Sequence, residues 1–351
     1  MREIDAVVIG AGQAGLSSAY HLRRLGVPAV VLDAADGPGG AWRHRSPSLT
    51  MDKVHGVFDL PGLRREPRDD GLLPASVVVP GYYAGYERDT GLEVLRPVTV
   101  ASVSRDGGLL AVRSDAGEWL ARAVVNATGT WTRPYRPYYP GAPGFAGRQL
   151  HYAAYRGPAE FAGRRVVVVG GGASAMHVLS ELAEVAAGTL WVTRRPPVWR
   201  GDDFGEEARR EAVALVEARV RAGLPPQSVV SVTGLGSTPV VREAMVRGAL
   251  ERQPMFSRIL PYGVAWPDGR TAEADVILWA TGFRSALDHL APLRLREPGG
   301  GIRLDGTQVV REPRVQLVGY GPSASTVGAN RAGREAASRV RRLLAAETQA
   351  A

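Results

Sequence analysis

The chain opens on a β-branched, apolar run, Ile4-Asp-Ala-Val-Val-Ile9, which predicts a short buried strand. It runs into Gly10-Ala-Gly12-Gln-Ala-Gly15 and then a helical stretch over 16–25. A second apolar run, Ala29-Val-Val-Leu32, ends on Asp33. Strand, glycine turn, helix and strand in this order form the unit that cradles a dinucleotide. The pattern returns 160 residues later, with Arg165-Val-Val-Val-Val169, the turn Gly170-Gly-Gly172-Ala-Ser-Ala175, a helix over 176–187 and the strand Thr189-Leu-Trp-Val-Thr193. Two further apolar strands, 123–129 and 274–282, each end in Ala-Thr-Gly. The order turn, Ala-Thr-Gly, turn, Ala-Thr-Gly predicts an α/β fold with two Rossmann-like dinucleotide-binding domains, the second inserted into the first. Residues 1–157 and 282–351 are expected to form the first and 158–281 the insert. One amphipathic helix is expected over 201–224, and a tail helix over 326–346 packed on the first domain.

The turns carry the first chemistry. Gly10 permits the tight bend, Gly12 lets backbone N–H groups approach a pyrophosphate, and Gly15 lets helix and strand pack closely. Gln13 and Ala14 complete that turn as contact candidates. Asp33, 18 residues after Gly15, stands where an acid bonds the adenosine ribose. The second turn, with Gly170, Gly172 and Ser174, ends in Ala175 where the fingerprint's last glycine would stand, and Arg194-Arg195 stands where an acid is expected. An acid there favours the free 2′-hydroxyl of NAD, whereas arginine pairs with the 2′-phosphate of NADP. The second site is therefore read as an NADPH site, the alternative being that the arginine pair is solvated surface charge.

Composition narrows the classes. The 351 residues are 45% hydrophobic and 22% charged, with room for two cores. The net charge of +8 invites a nucleic-acid reading, but the 43 basic residues, all arginine except Lys53, are scattered with no aromatic-interleaved stripe. Nucleic acid is not an expected partner. The absence of cysteine closes off disulfides, thiolate metal sites and a redox-active Cys-x-x-Cys. The six histidines lack ligand-like spacing, so no metal is expected. No apolar run reaches the ~18 residues of a membrane span and no signal peptide precedes Ile4, which points to the cytoplasm.

Two nucleotide sites in one chain mean hydride traffic between nicotinamide and flavin, passed on either to a disulfide or to oxygen or another acceptor. Without cysteine the disulfide route is closed. The linker Phe145-Ala-Gly147-Arg-Gln-Leu-His151-Tyr-Ala-Ala-Tyr155 fits F-x-G-x-x-x-H-x-x-x-Y. Together with Gly39-Gly40-Ala41-Trp42 and Ala127-Thr128-Gly129-Thr-Trp131, it makes nearly the whole chain resemble the flavin-containing monooxygenases and their Baeyer–Villiger relatives, the class B flavoprotein monooxygenases. The resemblance implies FAD on the first turn and NADPH on the second. It adds Gly40, Trp42, Thr128, Gly129, Thr281, Gly282 and Thr326 as cofactor contacts, and His151 as a residue that couples the domains without bond-making. It also implies a flavin-facing loop in which Asp52 and His55 are the catalytic candidates. Flavin-containing monooxygenases commonly carry Asn there and Baeyer–Villiger enzymes Asp, so Asp52 leans to the second group. The linker ending Tyr155-Arg156 leans to the first. Many two-nucleotide flavoproteins have Gly-Asp where this chain has Gly319-Tyr320. The implied activity passes through a flavin C4a-(hydro)peroxide and oxygenates a small-molecule N or S nucleophile, with that substrate and oxygen as partners and a homodimer as one open assembly. Baeyer–Villiger oxidation of a ketone, and an NADPH dehydrogenase or oxidase without oxygenation, remain open alternatives.

Overall fold

The strand Arg2–Ile9 lies at the centre of the first sheet because its second half is apolar on both faces: Ala6, Val7, Val8 and Ile9 are all buried. It pairs in parallel with Ala29–Leu32 (Ile9 opposite Leu32) and with Gly117–Asn126 (Ile9 opposite Asn126). Val94–Leu95 and Glu312–Leu317 extend the parallel core, and short antiparallel strands complete a nine-stranded sheet. The computed structural model describes residues 2–54, 57–65, 69–199, 206–227, 232 and 234–350; of residues 206–212, 239, 326, 327 and 350 only the backbone is described.

The second sheet has five parallel strands in the order Arg252–Pro254, Gly188–Thr193, Arg165–Val169, Val276–Trp279 and Arg148–His151. Its arrangement repeats that of the first. In both, the strand entering the glycine turn lies between the strand that follows the turn's helix and the strand that leads into Ala-Thr-Gly. Its edge strand, Arg148–His151, comes from before residue 158. A hydrophobic cluster covers each face of each sheet. The fold is thus mixed α/β with parallel-strand sheets.

The helices after the turns are Gln13–Arg24 and Ala173–Val185, each beginning about three residues before the apolar periodicity does. The glycine turn itself supplies their first turn, with Gly12 and Gly172 as N-caps. The middle helix spans Glu206–Arg221, and the tail helix runs over Thr326–Ala350. The tail helix does lie on the first sheet's helix: Ser17 donates to the Asn330 carbonyl at 3.1 Å, and a Cβ on Gly333 would stand 2.5 Å from the Ser17 Oγ.

Chain segments cross between the sheets as an antiparallel pair. Tyr135 N–H donates to the Gly282 carbonyl at 3.0 Å, Arg284 N–H to Arg133 at 2.8 Å and Ala286 N–H to Gly129 at 2.9 Å. Each Ala-Thr-Gly therefore touches the other crossing segment.

Gly15 shows how little slack the first turn has, since a Cβ there would lie 1.8 Å from the Gly10 carbonyl oxygen. We expect Gly15→Ala to cost about 3 kcal/mol or more, or to prevent folding; a denaturant midpoint equal to that of the unsubstituted chain would contradict this packing.

Candidate functional site

A cavity of about 1100 Å³ lies over the first glycine turn, above the roughly 300–1,000 Å³ usual for drug-sized ligands and so of dinucleotide scale. Of the residues expected to bind cofactor, Gly10, Gly12, Gln13, Ala14, Asp33, Gly40, Trp42, Thr128 and Gly129 line it. Gly15 lies beneath it as packing.

Gly10 and Gly12 are glycines for different reasons. Gly10 has φ +97°, and a Cβ on it would lie 2.7 Å from the Ala127 carbonyl oxygen, so the fold requires glycine. Gly12 has φ −75°, open to any residue, and a Cβ on it would make only an ordinary 3.9 Å contact with Gly40. Folding does not require glycine there, and the side chain it lacks leaves a cradle at an N-terminus with no side-chain cap. The second turn repeats the distinction. Gly170 (φ +140°) would bring a Cβ to 2.2 Å from the Ala280 carbonyl oxygen, while around Gly172 (φ −113°) a Cβ would meet nothing within 4 Å. Ala175, in the third glycine's place, is fully buried. Ser174 lies in the first turn of the helix.

Asp33 follows Ala29–Leu32 and is fixed through its backbone by Leu95 and Val98. Its Oδ2 lies 3.3 Å from Arg96 Nε, and Arg96 forks onto Glu87 at 2.7 and 2.8 Å. Asp33 is thus oriented by a partly buried arginine that sequence reading did not single out. On the far wall, Asn126 Nδ2 donates to the Thr128 hydroxyl at 3.1 Å, and that hydroxyl donates to the Ala286 carbonyl at 2.6 Å. His289 Nε2 lies 2.6 Å from Asn126 Oδ1. Burial holds the His289 imidazole down to about 4, so the ring is neutral and Nε2–H donates. His289 lines the cavity although its sequence context carries no signal.

Thr281 donates to the Tyr135 carbonyl, as Thr128 does to Ala286, and Gly282 accepts both Tyr135 N–H and His151 Nε2–H, the latter at 3.0 Å. His151 Nδ1 accepts the Ala153 N–H at 3.1 Å, which fixes the tautomer. Burial lowers its pKa, outweighing the Gly282 bond. His151 is a tether from linker to crossing segment. Its ring meets Phe283 edge-on at 5.0 Å, Phe283 stacks on Trp131 at 5.0 Å, and Trp131 stacks on His44 at 6.2 Å. This aromatic column ends at the cavity wall.

The rest of the linker motif is also structural. A Cβ on Gly147 would strike the Asp275 carbonyl oxygen at 2.3 Å and the Phe145 ring at 2.6 Å. The Tyr155 hydroxyl, on a fully buried ring, donates to Glu181 at 2.6 Å. Burial works against the Glu181 charge, but bonds from His177, Tyr155 and Ser48 hold it down to about 2. Ser48 donates to it at 2.8 Å and Lys53 stands 3.7 Å away, so the first sheet's loop meets the second sheet's helix here.

The catalytic candidates fall differently. Asp52 is exposed, on the turn Met51–Lys53, and accepts from the Thr50 hydroxyl; it does not line the cavity. His55 and the Thr326 side chain lie outside the described residues. Tyr320, in place of the usual acid, turns into the core, where its hydroxyl accepts the Ile302 N–H at 3.2 Å, and Gly319, Ser323, Ala324 and Ser325 line the cavity instead. Arg194 and Arg195 are exposed beside the second turn, and among the described residues neither pairs with a carboxylate.

Residues 7–205 match the family model described as pyridine nucleotide-disulphide oxidoreductase. The chain is similar to a solved flavin-containing monooxygenase from Stenotrophomonas maltophilia (TM-score 0.84, 40% identity, 97% of this chain and 98% of that one). It is 30% identical to an indole-3-pyruvate monooxygenase of Oryza sativa subsp. japonica, over 88% of this chain and 82% of the relative. It is 33% identical to a ferredoxin–NADP reductase of Salinispora arenicola, over 91% and 86%.

The neutral cavity histidine sets a pH dependence. Its folded pKa lies below the ordinary 6.5, so between about 6.5 and about 4 the unfolded chain binds the extra proton and stability falls as pH falls. Melting temperatures across that window are expected to fall less steeply for His289→Gln than for the unsubstituted chain; parallel profiles would show that His289 is not held neutral.

Proposed function

Because the chain belongs to the pyridine nucleotide-disulphide oxidoreductase family and, within it, to the class B flavoprotein monooxygenases, we propose that it is an FAD- and NADPH-dependent monooxygenase acting on a small-molecule N or S nucleophile. The observation that carries this reading is the pair of glycine turns whose middle members, Gly12 and Gly172, are required by neither backbone nor packing, in a chain without cysteine. Each turn fits a pyrophosphate. The first takes FAD, with Asp33 on the ribose and Trp42, Thr128 and Gly129 along the cavity. The second takes NADPH, with Ser174 at the helix start and Arg194 and Arg195 for the 2′-phosphate. Residues 1–157 and 282–351 form the FAD unit in this reading and 158–281 the NADPH unit, with Arg148–His151 as a strand shared across the boundary.

Bound flavin, once reduced by the nicotinamide, supplies the oxygen chemistry. The protein's share is to bind, orient and exclude water. The neutral His289, fixed on Asn126, presents an uncharged wall, and the His151 tether keeps the crossing segments in register. Asp52, which leaned to ketone oxidation, lies exposed outside the cavity, and Tyr155-Arg156 favours amine or thioether oxygen transfer. Small molecules and oxygen are the partners, in the cytoplasm.

The likeness to a ferredoxin–NADP reductase supports a second reading, electron delivery without oxygenation. Turnover with NADPH under ¹⁸O₂ in the presence of thioether and amine probes separates the two. Oxygenation places one labelled atom in the product, whereas hydrogen peroxide or reduced acceptor alone, with no labelled product, would contradict it. Two pairs of variants test the seats. Gly12→Ala and Gly172→Ala are expected to fold normally while losing FAD and NADP⁺ respectively, by flavin absorbance and titration. Arg194→Ala and Arg195→Ala should weaken NADPH roughly tenfold more than NADH; equal effects would place the 2′-phosphate elsewhere.

A further inference from the structure

Arg45 stands three residues after Trp42. Its guanidinium sits over the Trp131 ring at 4.6 Å and faces Trp42 at 5.6 Å, on the cavity wall. Its Nε is buried without a hydrogen-bond partner, and among the described residues no carboxylate pairs with it. A largely desolvated cation against two aromatic rings, with no carboxylate beside it, is costly unless an anion meets it. The Tyr152 hydroxyl interacts with both Arg45 and Ser174, which brings the cation to the uncapped start of the helix Ala173–Val185.

We propose that Arg45 is an oxyanion site, reaching from the segment after Gly39-Gly40-Ala41-Trp42 to complete the second nucleotide seat and take the pyrophosphate of the nicotinamide cofactor. This rests on the reading of the second turn as that cofactor's seat. The chemistry is matched on both sides: a planar fork of N–H donors from one unit, and backbone N–H groups with the positive end of a helix from the other. The nicotinamide cofactor then touches both units. Arg194 and Arg195 read the 2′-phosphate, whereas Arg45 reads a group that NADP and NAD share.

A buried relay holds Arg45 in place. Glu181, an ionised acceptor, receives His177 Nε2–H at 3.1 Å. His177 Nδ1 lies 3.1 Å from the Tyr152 hydroxyl, which ties Tyr152, and through it Arg45, to Glu181. Tyr152 is a positioning residue in this arrangement, and the relay begins on the helix of the second turn itself.

Equilibrium titration of the FAD-loaded protein with NADP⁺, NAD⁺, adenosine 2′-monophosphate and phenylacetate tests the proposal, with flavin content and thermal midpoint reporting the fold. Arg45→Gln is expected to weaken NADP⁺ and NAD⁺ alike, by roughly ten- to a hundredfold, and to leave adenosine 2′-monophosphate unchanged. Arg45→Lys should recover part of the loss, and Tyr152→Phe should give a smaller loss of the same pattern. Unaltered binding of both dinucleotides by Arg45→Gln would overturn the proposal. Loss of phenylacetate binding with the dinucleotides intact would also overturn it, by assigning Arg45 to a substrate carboxylate. If Arg194→Ala still weakens NADP⁺ in either case, the nicotinamide seat stands and Arg45 alone falls. If the unsubstituted protein binds no NADP⁺, the seat itself is wrong.

Discussion

In each sheet a glycine packs against the carbonyl of the alanine that follows the neighbouring strand: Gly10 against Ala127, and Gly170 against Ala280. Neither glycine has room for a Cβ, and both have positive φ, so the turn is pinned to the end of the strand beside it. Pinning brings the following Thr and Gly to the mouth of the turn. It also sends the chain onward as a crossing segment from the same place in both sheets. Site, crossing and connection between sheets all follow from this one close approach.

The crossing explains why threonine stands in each Ala-Thr-Gly. Thr128 bonds the Ala286 carbonyl and Thr281 the Tyr135 carbonyl, each reaching the segment that leaves the other sheet. His151 adds a third bond at Gly282, and the column through Phe283 and Trp131 carries the contact to the cavity. A second connection runs through Glu181, which joins Ser48, Tyr155 and His177 beneath the cavity. The linker motif thus marks the polar and aromatic hardware that joins the two sheets.

What the sequence made legible is what is local. Apolar runs, glycine spacing and the acid after the second strand depend on residues close in the chain, and both turns and their strands follow from them. The helix starts were shifted because the glycine turn itself is helical from Gln13 and Ala173. The rest needed the third dimension. Arg96 orients Asp33 from 63 residues away, and His289 meets Asn126 across 163. Arg45 gains its meaning from Trp131 and Tyr152, none of which shares a motif with it. Asp52 matched a family position by type, yet it stands on an exposed turn outside the cavity, accepting from Thr50.

The two turns share a geometry but differ in what surrounds them. The first lies under a cavity walled by both crossing segments and by the tail helix region, which suits a permanently held group. The second has exposed arginines, which suits one that exchanges. Counting cofactors tests this asymmetry most directly. After gel filtration the purified chain is predicted to retain one FAD and no nicotinamide, and then to bind one NADP⁺ reversibly at equilibrium. Two retained flavins, or a flavin washed out as readily as the nicotinamide, would contradict it.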